Sequence, residues 1–314
     1  MTTAKLGIPS APMSHHDPIP LTGVAVGLLA ASIGALYTVF ARYGMAHGLL
    51  PQDLTFLRFA VAGVLTLPIV ALAWRRDATG LLLRWRIWLA VCALAGPPFG
   101  LLMFGALQFA PPSHAPVFPF SAMSVMGTLL AVRYLDAKLT LRKIVGIGVV
   151  LTGLIVLSGV DRASFTARAL LGDAMFIAAG TCWAGFGIVL RKKGLDALLA
   201  TAIVSFSALV TYVPLFLLLS GTQRLAQASA SLLLIEVLVQ GVIAGAGTLY
   251  AYAKMVALLG PARAAVFPAL APGLAALMGW PILGHVPTSL ELLGLGVAMA
   301  GLVLTVTGTS PPRR

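Results

Sequence analysis

The sequence predicts an all-α polytopic membrane protein, with ten transmembrane helices in two inverted five-helix repeats. Three observations carry this reading: the scarcity of charge, the grouping of apolar residues in long runs, and residues that recur at a fixed distance. Of 314 residues, 59% are hydrophobic and 10% charged, with a mean hydropathy of +0.99. A soluble domain carries about 25% charged residues. A helix crossing a hydrocarbon core about 30 Å thick needs about 20 apolar residues.

Residues 1–19 contain Lys5 and several prolines and predict a disordered tail. They do not read as a signal peptide, because the first apolar run is too long and too late. Spans are then expected at 20–42, 53–73, 86–108, 113–133 and 141–160. After the polar stretch Asp161–Arg168 the second set is expected at 169–191, 197–219, 231–259, 261–284 and 289–308. The run 231–259 is long enough to tilt. Cys92 and Cys182 both fall within spans and form neither a C-x-x-C pair nor a disulfide framework.

The net charge of +12 raises nucleic acid as a partner, and the distribution of the charge argues against it. If the N-terminus is cytoplasmic, fifteen basic residues fall on that side. They are Lys5, Arg75, Arg76, Arg84, Arg86, Arg133, Lys138, Arg142, Lys143, Arg191, Lys192, Lys193, Arg263, Arg313 and Arg314. Only Arg42, Arg162, Arg168 and Arg224 fall opposite, and Arg58 and Lys254 lie within spans. The bias predicts a multi-pass inner-membrane protein with both termini cytoplasmic. The basic loops are then expected to meet anionic lipid headgroups.

Pro112, Ala115, Val117, Phe118 and Pro119 recur as Pro261, Ala264, Val266, Phe267 and Pro268 at a constant offset of 149. Gly146, Gly148 and Gly153 recur as Gly294, Gly296 and Gly301 at 148. The chain therefore reads as a duplication, 20–160 and 169–308. Five spans per half make the second half enter the membrane from the opposite side. Inverted repeats are common in transporters, whose halves rock about a site at their interface.

Three stretches carry a resemblance to a known family: "LRFAVAG" from Leu57, "AGTCWAGFGIVLRK" from Ala179 and "GPARAAVFPALAPGLAALMGWPILG" from Gly260. Over nearly its whole length the chain resembles the EamA domains of the drug/metabolite transporter superfamily. The resemblance implies ten spans, a central cavity and export of amino acids or other small metabolites. The sequence departs from the pattern in two respects. The family's "GE" after the fourth and ninth spans is replaced by Asp136-Ala137 and Gly284-His285, and Ile33 stands where a second tryptophan would face Trp183. The usual glutamates are therefore missing as proton carriers, and no coupling role carries over from them.

Irregular backbone at membrane depth is tolerated only against protein or a water-filled cavity. Proline-interrupted spans in corresponding places of the two halves therefore point to a transport path. Those spans are the fourth, with Pro116 and Pro119, and the ninth, with Pro268 and Pro272, four residues apart as on one helix face. The bland alternative is kinking for packing alone. Arg58 either serves the path or snorkels to the interface. Lys254, beside Tyr250 and Tyr252, presents the same choice and would suit a carboxylate substrate. Tyr37, Ser121, Ser124, Gln108 and Gln240 either bind substrate or bridge helices. Trp183 either stacks on a ligand or packs, and His114 sits at a helix mouth. Asp173 and Glu236 are expected at solvated ends.

No G-x-x-x-x-G-K-[ST] loop, His-Glu metal motif or nucleophile elbow occurs. The expectation is a non-enzyme without cofactor or metal, whose partners are a small-molecule substrate and lipid, with a homodimer left open. An importer of a small organic solute in the same fold is the alternative function, and a non-transporting membrane protein the next.

Overall fold

The computed structural model of the chain describes residues 21–111, 114–115, 117–159, 165–284 and 286–307. The expected tail 1–19 and the prolines Pro112 and Pro116 lie outside the described residues. Ten helices are long and apolar enough to cross a membrane: Leu21–Ala46, Pro51–Leu83, Trp85–Phe109, Phe118–Leu135, Leu141–Ser158, Ala167–Lys193, Ala197–Leu219, Ala230–Leu259, Pro261–Ile282 and Ser289–Val306. We refer to them as the first to tenth spans. No strand occurs among the described residues. Spans that alternate in direction put connections such as 46–51 and 219–230 on one face of the membrane, called far here. Connections such as 135–141 and 193–197 lie on the other, near face.

Side-chain oxygens start several spans by accepting backbone N–H groups that have no partner inside the helix. Thr166 accepts from Ala169 at 3.1 Å, Asp196 from Leu199 at 2.8 Å and Ser229 from Leu232 at 3.3 Å. The sixth span ends at Gly194 with φ +57°, a left-handed conformation that glycine adopts without strain.

Three spans differ from expectation. The second continues to Leu83 through a kink at Asp77 (φ −156°, ψ 69°). There the Asp77 carboxylate accepts from Gly80 N at 2.8 Å and restarts the helix in the basic stretch taken for a loop. The fourth starts at Phe118, so Pro119 occupies its first turn, where a missing N–H removes no helical hydrogen bond. The ninth is not one helix at its start. A short helix Pro261–Ala264 precedes a 3₁₀ turn Phe267–Leu270, and the main helix begins at Ala271. Pro268 thus sits in the 3₁₀ turn and Pro272 in the first turn of the next helix. The helix face proposed for the pair is replaced by a break.

A second matched irregularity affects the third and eighth spans. The third breaks at Gly96, between Trp85–Ala95 and Pro97–Phe109. A Cβ at Gly96 would collide with the Cys92 carbonyl, and Pro97 has no N–H to continue the ladder. The eighth runs as a π-helix over Val237–Thr248. Such i→i+5 segments are frequent at functional sites.

The packing is crossed. The fourth span lies on the sixth, and correspondingly the ninth lies on the first. The second meets the seventh, and the fifth meets the tenth. Each of these contacts between halves therefore either recurs under exchange of the repeats or maps onto itself, as an inverted duplication does.

Candidate functional site

At the centre of the bundle lies a cavity walled by the first, third, fourth, sixth, eighth and ninth spans. These are three repeat-related pairs: one and six, three and eight, four and nine. The first span supplies Ala30, Ala31, Gly34 and Tyr37, the third Phe99, and the fourth Phe120 and Met123. Trp183 comes from the sixth, Thr248, Tyr252 and Met255 from the eighth, and Phe267, Pro268 and Ala271 from the ninth. No charged side chain is among them. The enclosed space is about 30 Å³, enough for one or two waters.

Trp183 organises one wall. It is 4% exposed, and its ring lies 4.7 Å from Phe99, 4.8 Å from Tyr252 and 5.8 Å from Phe186 between centroids. Small residues bring the irregular segments close. A Cβ at Gly27 of the first span would collide with the Phe267 ring, and one at Gly180 of the sixth with the Pro119 carbonyl. The two proline-bearing segments are thus each seated on a glycine of the opposite half.

Of the residues singled out from sequence, Tyr37, Trp183 and Pro268 meet in the cavity wall. Pro119 lies behind it against Gly180, Pro272 is buried beyond it, and half-buried Ser121 is outside the wall. Pro116 lies outside the described residues. Tyr250, 42% exposed, and half-buried Lys254 are not in the wall. They are four residues apart and share a helix face, whereas Tyr252 lies on the opposite one, toward the cavity. Arg58 does not snorkel. It is 1% exposed, and its guanidinium carbon sits 4.9 Å from the centroid of the Tyr37 ring. Its Nε and Nη1 have no hydrogen-bond partner.

Two polar residues bridge helices, as one reading allowed. Gln240 Nε2 donates to Tyr37 O at 3.0 Å, and Ser124 donates to Ala265 O at 3.4 Å. Asp173 and Glu236 are not solvated ends: both are buried. Asp173 pairs with His114 Nδ1 at 2.8 Å, and the His114 ring lies between Phe118 and Phe165 with centroids at 5.2 and 4.8 Å. This pair ties the connection before the fourth span to the sixth. Asp173→Ala is expected to cost about 1–3 kcal/mol, the range for breaking a buried hydrogen bond to a charged or polar partner. Thermal unfolding of the purified protein measures it, with Asp173→Asn as the variant that retains an acceptor.

Sequence reasoning missed Phe99 and Thr248, and named Tyr252 only as a neighbour of Lys254. Phe99 and Thr248 are separated by the same offset of 149 that relates Pro119 to Pro268, so carrying the repeat into the third and eighth spans would have found them. Among the described residues, no three His, Cys, Asp or Glu side chains gather as metal ligands would.

The family model of the EamA-like transporter family matches residues 21–159 and again 170–307. No curated protein matches the chain in sequence. A solved crystal structure is similar in fold, with a TM-score of 0.65 at 17% identity over 90% of this chain and 96% of that one.

Proposed function

The chain belongs to the EamA-like transporter family, and we propose that it is a secondary transporter exporting a small metabolite, an amino acid or related compound, across the inner membrane by alternating access. The observation that carries this reading is the cavity where three pairs of repeat-related spans meet. A solute held there contacts both halves, so rocking one half against the other exposes it to each face in turn. At about 30 Å³ the cavity must widen to admit a metabolite. Its wall chemistry suits an apolar or aromatic body, with the hydroxyls of Tyr37, Thr248 and Tyr252 to orient a polar group. The positive-inside bias supports cytoplasmic termini and so makes the near face cytoplasmic.

The test is uptake into liposomes containing the purified protein, from a panel of radiolabelled amino acids and related metabolites, with and without a pH gradient. Flux of at least one member above empty liposomes is the expected result. No flux for any compound rejects the transporter reading.

The two prolines shared by the repeats are expected to differ in effect. Pro119→Ala restores an N–H in a first turn, where none is needed. Pro268→Ala supplies a donor within the 3₁₀ turn and favours a continuous ninth span. Transport should therefore fall more for Pro268→Ala than for Pro119→Ala, at equal expression. Wild-type flux from both variants removes the prolines from the path.

A further inference from the structure

We propose that Glu236 is a proton-binding site of the transport cycle, linked to the central cavity by a polar stripe along the eighth span. The proposal rests on the transporter reading above and adds the co-substrate. Glu236, Gln240, Ala244, Thr248 and Tyr252 follow one another at intervals of four, and all are buried. The stretch from Glu236 to Thr248 packs against the first and second spans, and Tyr252 continues it to the Trp183 ring of the sixth. The stripe begins about 9 Å inside the far end of the span, at the 1.5 Å rise of a helix. It ends at Thr248 and Tyr252 in the cavity wall.

The acceptor chemistry is concentrated on this stripe. Both carboxyl oxygens of Glu236, the amide oxygen of Gln240 and the hydroxyl of Thr248 are buried without a hydrogen-bond partner. Natural proteins leave few such groups, and each calls for an explanation. Gly44 of the first span makes room for the carboxyl: a Cβ there would lie 2.7 Å from Glu236 Oε1. Arginines lie on the neighbouring spans. Arg58 stacks on Tyr37, and half-buried Arg42 is engaged in an interaction of its own. Neither hydrogen-bonds or ion-pairs with Glu236. Asp53 is paired with Arg224 at 2.9 Å. Just past the first span, His47 Nδ1 is 2.8 Å from Tyr43 O. A carboxylate at this depth, with no ion-pair partner and only the Gln240 amide and the Gly44 backbone beside it, is disfavoured relative to its neutral acid.

A titratable group isolated in this way can carry a proton between faces. Glu236 takes a proton from far-face water and holds it while the far side is closed. Water admitted along this face and ordered by the acceptors of Gln240 and Thr248 then carries the proton toward the cavity, where it leaves once the near side opens. Inward movement of the proton would drive outward movement of solute.

Infrared difference spectra of the purified protein in liposomes, recorded across pH steps with no solute present, test the site directly. Wild type should show the carbonyl band of a neutral carboxyl that vanishes at high pH. Glu236→Gln should lose this band and Glu236→Asp should shift it. In the flux assay, Glu236→Gln should lose accumulation driven by a pH gradient yet keep solute-for-solute exchange. An unchanged band in Glu236→Gln overturns the proposal, as does undiminished proton-driven accumulation. If Glu236→Gln fails to fold, Gly44→Ala decides, because its methyl group crowds the carboxyl. A titration identical to wild type would then overturn the assignment. The spectra need no transported compound, so they remain decisive even if every member of the solute panel fails.

Discussion

Gly153→Leu is expected to abolish recovery of monodisperse protein, because the fifth and tenth spans meet there backbone to backbone. A Cβ at Gly153 would lie 2.5 Å from Ala298 N and 2.8 Å from Gly294 O. Its repeat partner Gly301 would place one 2.6 Å from Val150 N and 2.8 Å from Gly146 O. The contact is self-complementary: residue 153 meets 298, and 301 meets 150, as across a two-fold axis. Small residues let membrane helices approach closely, and main chain cannot rotate out of the way as a side chain can. The cost should therefore exceed the roughly 1–3 kcal/mol of an ordinary overpacked site. Gly148 and Gly296 are the controls, since nothing lies within 4 Å of a Cβ at either. Alanine at both should leave gel-filtration profile and melting temperature unchanged. A well-behaved Gly153→Leu protein would show that this interface gives way.

Trp183→Ala is expected to have the second-largest effect, and on transport above all. The substitution removes the ring shared by Phe99, Tyr252 and Phe186. Truncating a buried tryptophan generally costs about 3–5 kcal/mol. Here the lost volume merges with an existing cavity, so the stability loss should fall near the low end. The wall itself is lost, and solute flux in liposomes should drop at least tenfold, about 1.4 kcal/mol in the barrier. Trp183→Phe keeps an aromatic face and should retain most of the flux. Equal flux from Trp183→Ala and wild type would leave the aromatic wall without a role in transport.

The spans themselves were readable because length and hydropathy decide them. The repeat was readable, and the fifth and tenth spans keep its offset, beginning at Leu141 and at Ser289, 148 later. What covers a polar residue was not readable. Glu236 and Asp173 stand near the ends of apolar runs, where sequence suggests water, but the first span covers one and His114 the other. The π-helical stretch Val237–Thr248 carries no proline and reads as ordinary helix. Its irregularity mirrors Gly96 in the third span, where Pro97 and Pro98 announce it openly. The prolines pointed to the right segments, yet Pro119 starts its helix rather than interrupting it, while Pro268 sits in the 3₁₀ turn where the ninth span breaks.

The crossed packing has a consequence for biosynthesis. The fourth span packs chiefly on the sixth, and the first on the eighth and ninth, all of them from the opposite half. A ribosome that has delivered five spans has therefore delivered no finished unit. The fourth span waits in lipid for a partner not yet made, and the first waits until the chain is nearly complete. Domains of many proteins fold one after another as they emerge, but these halves are bound to mature together. Cleaving the chain genetically between 159 and 170 should give two fragments that are degraded when made separately and assemble when made in the same cell.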